Sequence, residues 1–155
     1  MVQVAVAIDS NIFISVINNE RDSTSSKRIL DWIDDGEIKA IVSAIVIAEI
    51  VSGYQATGDT KEMDEFLAHI LGAPNYDIVD VTVPIALEAG NLRAKKGFKL
   101  PDALIAASAL RHGAEFLISN DDPMRKVSLD NLKVLTAAEF VKILGQTVGK
   151  NQASK

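Results

Sequence analysis

The chain alternates between short apolar runs and longer stretches in which apolar residues recur at helical spacing. Residues 1–8 alternate and end in Val6-Ala7-Ile8, and residues 38–42 share the same branched, apolar character. Runs without a polar face suit strands buried on both sides of a parallel sheet. Further strands are expected at residues 76–83 and 115–119, with a shorter one at 131–135. Between them, Arg28, Ile29, Trp32 and Ile33 follow Ser25-Ser26 at helical spacing, and Gly36 stops that segment. Ser43 opens a helix over 44–51 that Gly53 ends, and Met63, Phe66, Leu67 and Ile70 form the stripe of another over 61–71. Pro84 begins a helix that continues through Lys96, and Pro101 starts one over 102–112 closed by Gly113. Thr136 with Glu139 makes a capping box for a last helix that runs to Leu144.

Strands alternating with helices predict an α/β fold, a three-layer α/β/α sandwich around a mainly parallel sheet with right-handed crossovers. At 155 residues the chain is the size of one domain, and at 48% hydrophobic and 24% charged it has the material for a single core. No repeat or low-complexity linker divides it, so residues 1–145 read as one domain and the polar, aperiodic segment 146–155 as a flexible tail. The apolar start lacks a basic leader and is too short to span a bilayer, so it is read as a strand and not as a signal or anchor. With no cysteine, disulfides and thiolate-bound zinc are excluded, and the cytoplasm is the expected compartment. The net charge of -5 argues against a broad basic surface for nucleic acid. A nucleic-acid substrate would need cations or local basic patches, because phosphate neutralisation supplies most non-specific affinity.

Four acids stand where a solvated surface acid is not what the local pattern predicts. Asp9 directly follows the first apolar strand, at the strand end that lines the ligand crevice of an open parallel sheet, although the same position suits a helix N-cap. Glu49 lies within Ala44-Ile45-Val46-Ile47-Ala48-Glu49-Ile50-Val51, where burying an unpaired carboxylate costs several kcal/mol. Asp102 occupies the first turn after Pro101, a place the helix dipole favours for an anion. Asp121 follows the strand that ends Phe116-Leu117-Ile118, with Ser119, Asn120 and Asp122 around it. If these acids converge from separate elements they repel, and a hard divalent ion that prefers oxygen, Mg²⁺ or Mn²⁺, is the natural counter-charge in the absence of clustered His or Cys. Such ions suit phosphoryl chemistry. No side-chain nucleophile is then required.

The segments Asp9-Ser10-Asn11-Ile12-Phe13, Ser43 through Glu49 to Gly53, Leu100-Pro101-Asp102-Ala103-Leu104-Ile105-Ala106-Ala107 and Ile118-Ser119-Asn120-Asp121 come in the order and wording of the PIN-domain family. Over roughly residues 2–135 the chain resembles that family, and in particular the VapC-type toxins of bacterial and archaeal toxin–antitoxin pairs. The resemblance implies an Mg²⁺- or Mn²⁺-dependent endoribonuclease with Asp9, Glu49, Asp102 and Asp121 as the acidic cluster and Asn11 and Ser119 as supporting polar groups. It also implies RNA as substrate, an antitoxin protein as partner and a homodimer. The sequence departs from the family in its fourth motif, where Asp121-Asp122-Pro123-Met124 offers two acids and no following aromatic. Asp121 keeps the family's spacing from Ser119, while Asp122 could share or replace its role.

Arg93, Lys95, Lys96 and Lys99 form a basic run just before Pro101, and Lys27 with Arg28 makes a smaller pair; these are the candidates for steering an RNA backbone. The ordinary reading of each is a solvated helix end or face. Three other functions place acids at strand ends or bind ligands there, and each lacks a residue it needs. A response-regulator receiver requires paired acids after the first strand, where Ser10-Asn11 stand. A haloacid-dehalogenase-like phosphatase requires an Asp at position 11. A dinucleotide fold requires a glycine-rich first turn. The remaining rivals are a catalytically idle RNA- or partner-binding module and a housekeeping RNA-processing nuclease.

Overall fold

In a computed structural model of the protein, which describes residues 3–21 and 23–153, five strands and eight helices follow one another along the chain. Met1 and Val2 of the expected first strand, and Ser154 and Lys155 of the expected tail, lie outside the described residues. The strands β1 (Val4–Ile8), β2 (Ile38–Ser43), β3 (Tyr76–Val79), β4 (Phe116–Ile118) and β5 (Lys133–Leu135) make one sheet in the order β3-β2-β1-β4-β5, and every pairing is parallel. The crossovers from β1 to β2 and from β2 to β3 advance in one direction and the return to β4 runs the other way. Right-handed connections therefore put the intervening helices on opposite faces. On one face lie α1 (Ser10–Ile17), α2 (Ser23–Asp34), α3 (Ala44–Thr57) and α4 (Thr60–Gly72), joined by α8 (Ala137–Ala153), which packs on α2. On the other, α6 (Leu100–Arg111) lies directly on β1, β2 and β4 with α5 (Val83–Lys96) packed along it. The three-layer α/β/α sandwich read from the sequence is thus the observed fold.

The reason α6 can sit so close is its alanines: Ala103, Ala106, Ala107 and Ala109 are all fully buried. Their short side chains let the helix approach the sheet while Ile105 fills the space beside them. The opposite layer is built from larger groups. Phe13 meets Phe66 edge to face at 5.6 Å, and Phe140 of α8 meets both Trp32 of α2 at 6.4 Å and Phe116 of β4 at 5.6 Å.

Several expected boundaries move. The helix after Ser43 does not end at Gly53 but continues to Thr57, and Gly58, with φ +78°, ends it. A glycine inside a helix costs about 1 kcal/mol, which buried neighbours such as Val46 and Ile50 outweigh. The strand expected over 76–83 stops at Val79, because Thr82 caps α5 by accepting the Ile85 N–H at 3.5 Å. The last helix passes Leu144 and runs to Ala153, through residues such as Gln146, Lys150 and Gln152 that favour helix. Asp122–Arg125 forms a short helix, α7, that the sequence pattern did not announce.

Candidate active site

The sheet order fixes where the chemistry sits. β1 and β4 are neighbours whose connections leave in opposite directions, and the crevice beyond their C-terminal ends is the switch point of the fold. Asp9 follows β1, and Ser119 to Asp121 follow β4.

Asp9 is 3% exposed, and both carboxylate oxygens are engaged. Oδ1 accepts the Ser10 N–H at 2.7 Å and the Ser10 hydroxyl at 3.4 Å, so Asp9 is also the N-cap of α1. Oδ2 accepts the Ser119 hydroxyl at 2.7 Å and the Asn11 Nδ2–H at 3.2 Å. Asn11 in turn donates to Ser119 Oγ at 3.2 Å and accepts the Asn120 N–H on Oδ1 at 3.1 Å. The Asp121 N–H is donated to Ser119 Oγ at 3.1 Å. One hydroxyl therefore ties the ends of two strands together. Oδ1 thus makes the helix cap, while Oδ2 is turned to the residues that follow β4.

Glu49 stands on α3 and Asp102 in the first turn of α6, and the charge of Asp9 acts on both. Burial pushes the Asp102 carboxyl up to about 6, with the negative charges of Asp9 and Asp121 adding to the effect and Lys99 opposing it. Burial likewise raises Glu49, helped by the charges of Asp9 and Asp102 and offset in part by the Ser10 hydroxyl. Asp9 itself is raised by burial and by the charge of Asp121 against the hydrogen bonds from Ser119 and Ser10. Asp9 thus acts on Glu49 and Asp102, Asp102 on Glu49, and Asp121 on Asp9 and Asp102. Glu49 Oε1 is buried and has no hydrogen-bond partner. An orphaned carboxylate oxygen beside other carboxylates is a binding position for a cation or its water.

The oxygen-only donor set fits a hard divalent ion. Among the described residues, no three acidic or histidine groups stand close enough to grip one ion together. Mg²⁺ tolerates that arrangement, because it keeps several waters and commonly takes only one or two carboxylates directly. The donor chemistry therefore fits a divalent cation that would take few of these carboxylates directly.

The competing fourth acids separate cleanly. Asp122 begins α7 and its carboxylate pairs with Arg125 at 2.8 Å on the exposed surface, whereas Asp121 is the one whose charge reaches Asp9 and Asp102. Of the basic candidates, Lys99 lies by Asp102. Lys95 and Lys96 line a groove with Arg111, and Lys96 also faces a cavity with Gly113 and Glu115, neither of which includes an acid of the site. Arg93 is exposed in the last turn of α5. Lys27 pairs with Asp31 at 3.1 Å and Arg28 lies over the Trp32 ring at 5.3 Å. Ser10 and Asn120 were not singled out by the sequence reading. Ser10 carried a signal, being next to Asp9 at a helix start, while the contacts of Asn120 depend on residues 109 and 17 positions away.

Removing the shared hydroxyl should be costly. Ser119→Ala takes a donor from Asp9 and an acceptor from Asn11 and Asp121, and unsatisfied buried groups of this kind cost about 2 kcal/mol. A melting temperature lower by about 4–8 °C is expected in a thermal scan. An unchanged melting point would mean that water replaces the hydroxyl without loss.

The sequence profile of the PIN domain family matches residues 6–129. The chain belongs to the PIN domain family. A search of curated proteins finds no match. Among solved structures, the fold is similar to a toxin–antitoxin complex from Klebsiella pneumoniae, at 24% identity and a TM-score of 0.65 over 85% of this chain and 97% of that one. It is similar also to VapBC2 from Rickettsia felis bound to a DNA fragment from its promoter, at 23% identity and a TM-score of 0.64 over 86% and 98% of the two chains. VapC20 from Mycobacterium tuberculosis, a sarcin–ricin loop cleaving toxin, matches at 13% identity and a TM-score of 0.66 over 83% and 98%. No helix among the described residues is long and apolar enough to cross a membrane.

Proposed function

We propose that this chain is a divalent-cation-dependent endoribonuclease and the toxin of a VapBC-type pair. The observation that carries the reading is the acidic crevice at the β1/β4 switch point: three carboxyls raised by burial and by the charge of neighbouring acids, with one buried oxygen, Glu49 Oε1, lacking any partner. Asp9, Glu49, Asp102 and Asp121 would hold the ion, Mg²⁺ or Mn²⁺, directly or through water. When bound, the ion supplies the positive charge that lowers the pKa of water and stabilises the departing oxygen of a phosphodiester. The chain's own part is to fix the acids: Ser10, Asn11 and Ser119 orient Asp9, and the second turn of α3 and the first turn of α6 bring Glu49 and Asp102 to the same crevice. Lys99, beside Asp102, is the basic residue best placed to meet an RNA phosphate.

Toxin–antitoxin complexes among the structural neighbours support an antitoxin partner. The apolar groove of about 220 Å³ lined by Phe13, Leu30, Phe66, Ile70 and Tyr76 offers such a partner a seat. Val83 and Leu87, 73% and 66% exposed on one face of α5, support self-association into a homodimer. The chemistry is tested by incubating the purified protein with defined single-stranded RNA and the matching DNA in Mg²⁺, in Mn²⁺ and in chelator. Cleavage of RNA that disappears with chelator is the expected result. Cleavage that persists in chelator, or none with either ion, would refute the reading.

A further inference from the structure

Asn120 stands between the acidic crevice and the C-terminal helix, and it touches both with different atoms. Its backbone N–H is donated to Asn11 Oδ1 at 3.1 Å, which places its peptide inside the network that holds Asp9. Its side-chain Oδ1 accepts the N–H of Ala137, the first residue of α8, also at 3.1 Å. The first N–H groups of a helix have no partner within the helix, so each must be met from outside. In α8 the Glu139 N–H is met by Thr136 Oγ at 3.1 Å, a local cap, whereas the Ala137 N–H is met by a residue of the site loop. That loop is further pinned where the Ser119 N–H is donated to Leu135 O at 2.9 Å. α8 is seated independently, by Phe140 wedged against Trp32 and Phe116.

We infer that Asn120 is a positioning residue for the acidic site, and that through it the seating of α8 sets the register of Ser119 and Asp121. The inference rests on the proposed nuclease activity for its kinetic consequence but not for its structural one. When the Asn120 side chain is clamped to α8, the loop from 119 to 121 has one orientation. In that orientation the Ser119 hydroxyl is donated to Asp9 while accepting the Asp121 N–H. Without the clamp the peptide of Asn120 is held by Asn11 alone, and the place of Asp121 relative to Asp9 is then kept only by the Ser119 bridge, which lets it wander. The loss falls on the arrangement of the acids and leaves RNA binding elsewhere unaltered.

The test compares wild type, Asn120→Ala and Asn120→Asp at saturating Mn²⁺ and pH 8. Asn120→Asp keeps an acceptor for the Ala137 N–H at a helix end that favours negative charge. Asn120→Ala should lower kcat about 10-fold with KM within about two-fold of wild type, and Asn120→Asp should recover kcat to within about three-fold. If Asn120→Ala merely melts earlier, with kcat unchanged well below its melting temperature, Asn120 is only a helix cap and the inference is overturned. A wild type that cleaves nothing refutes the nuclease reading instead, and a second measurement then decides. Amide hydrogen exchange in cation-free protein should show the Asn120 and Asp121 N–H groups exchanging at least 10-fold faster in Asn120→Ala and near the wild-type rate in Asn120→Asp. Equal exchange in all three proteins would overturn the inference.

Discussion

Asp9→Asn is expected to reduce RNA cleavage at saturating Mn²⁺ by a factor of about 100 to 1,000, the range seen when one preorganised electrostatic group is removed from a site. The substitution does more than delete a charge. All four groups that reach Asp9, the Ser10 N–H, the Ser10 hydroxyl, the Ser119 hydroxyl and Asn11 Nδ2, approach as donors. A carboxylate accepts on both oxygens, but an amide must turn its own NH₂ toward one pair of those donors. Asn at this position therefore loses its grip on the strand end as well as its attraction for a cation, and more Mn²⁺ should not restore the rate. The control is Asp122→Asn, which removes a carboxylate of the same size from the surface, where it pairs with Arg125. It should retain activity within about two-fold, since exposed ion pairs contribute little. If Asp9→Asn kept a tenth or more of the wild-type rate while remaining folded, the acid crevice would not be the reaction centre.

The second large effect is on stability, and it reverses sign with the cation. Asp102 titrates near 6 in the folded chain against an ordinary 3.8, and Glu49 and Asp9 are shifted the same way. A carboxyl raised on folding favours the protonated folded state. Its stabilising contribution is complete below the ordinary aspartate range and is lost as pH rises through about 6. Cation-free protein should therefore lose stability through this crevice between about pH 4 and pH 7. Asp102 contributes on the order of 1 kcal/mol once solvent screening at its partly buried position is allowed for.

Glu49→Gln is the better probe, because Asp102 also gains from its helix N-terminus, roughly 0.3–1 kcal/mol that an amide would forfeit. At pH 7.5 without metal, Glu49→Gln should melt about 2–4 °C above wild type, and the gap should close by pH 4. With Mn²⁺ the order should invert, wild type rising by several degrees and the variant little, since only the folded wild type offers the ion its full set of carboxylates. Calorimetry at pH 4, 6 and 7.5 with and without Mn²⁺ reads all of this. A variant less stable than wild type in cation-free buffer at pH 7.5 would contradict the account of the crevice as self-repelling.

Much of this arrangement could be read from the residues because the decisive signals are local. Val6-Ala7-Ile8 and Phe116-Leu117-Ile118 are short apolar runs that become the two central strands meeting at the site, and an acid after each is visible without knowing the fold. Glu49 is conspicuous because its neighbours are apolar. What was not legible depends on distance in sequence or on tertiary packing. Gly53 looks like a helix stop, yet its φ is not in the left-handed region, and the helix runs on to Gly58, which does adopt it. Residues 76–83 alternate, but Val81 and Val83 are 40% and 73% exposed, and alternation alone cannot report which residues find a neighbouring strand. Lys95 and Lys96 share a basic run with Lys99 but turn to a different groove, because a helix end separates them. Asn120 lies inside the fourth motif, but nothing local tells that its side chain reaches α8.

The order of the strands has a consequence for synthesis. β1 leaves the ribosome first and lies at the centre of the sheet, but one of its two neighbours, β4, is separated from it by more than a hundred residues. A nascent chain that has reached Arg111 already carries Asp9, Glu49 and Asp102, yet neither Ser119 nor Asp121 exists to complete the crevice. Domains generally fold as units during translation, and pairing between distant segments is a late event. On the proposed reading, the crevice of a nascent chain stays incomplete, and the chain harmless to RNA, at least until residues 119–121 have been made and have joined β1.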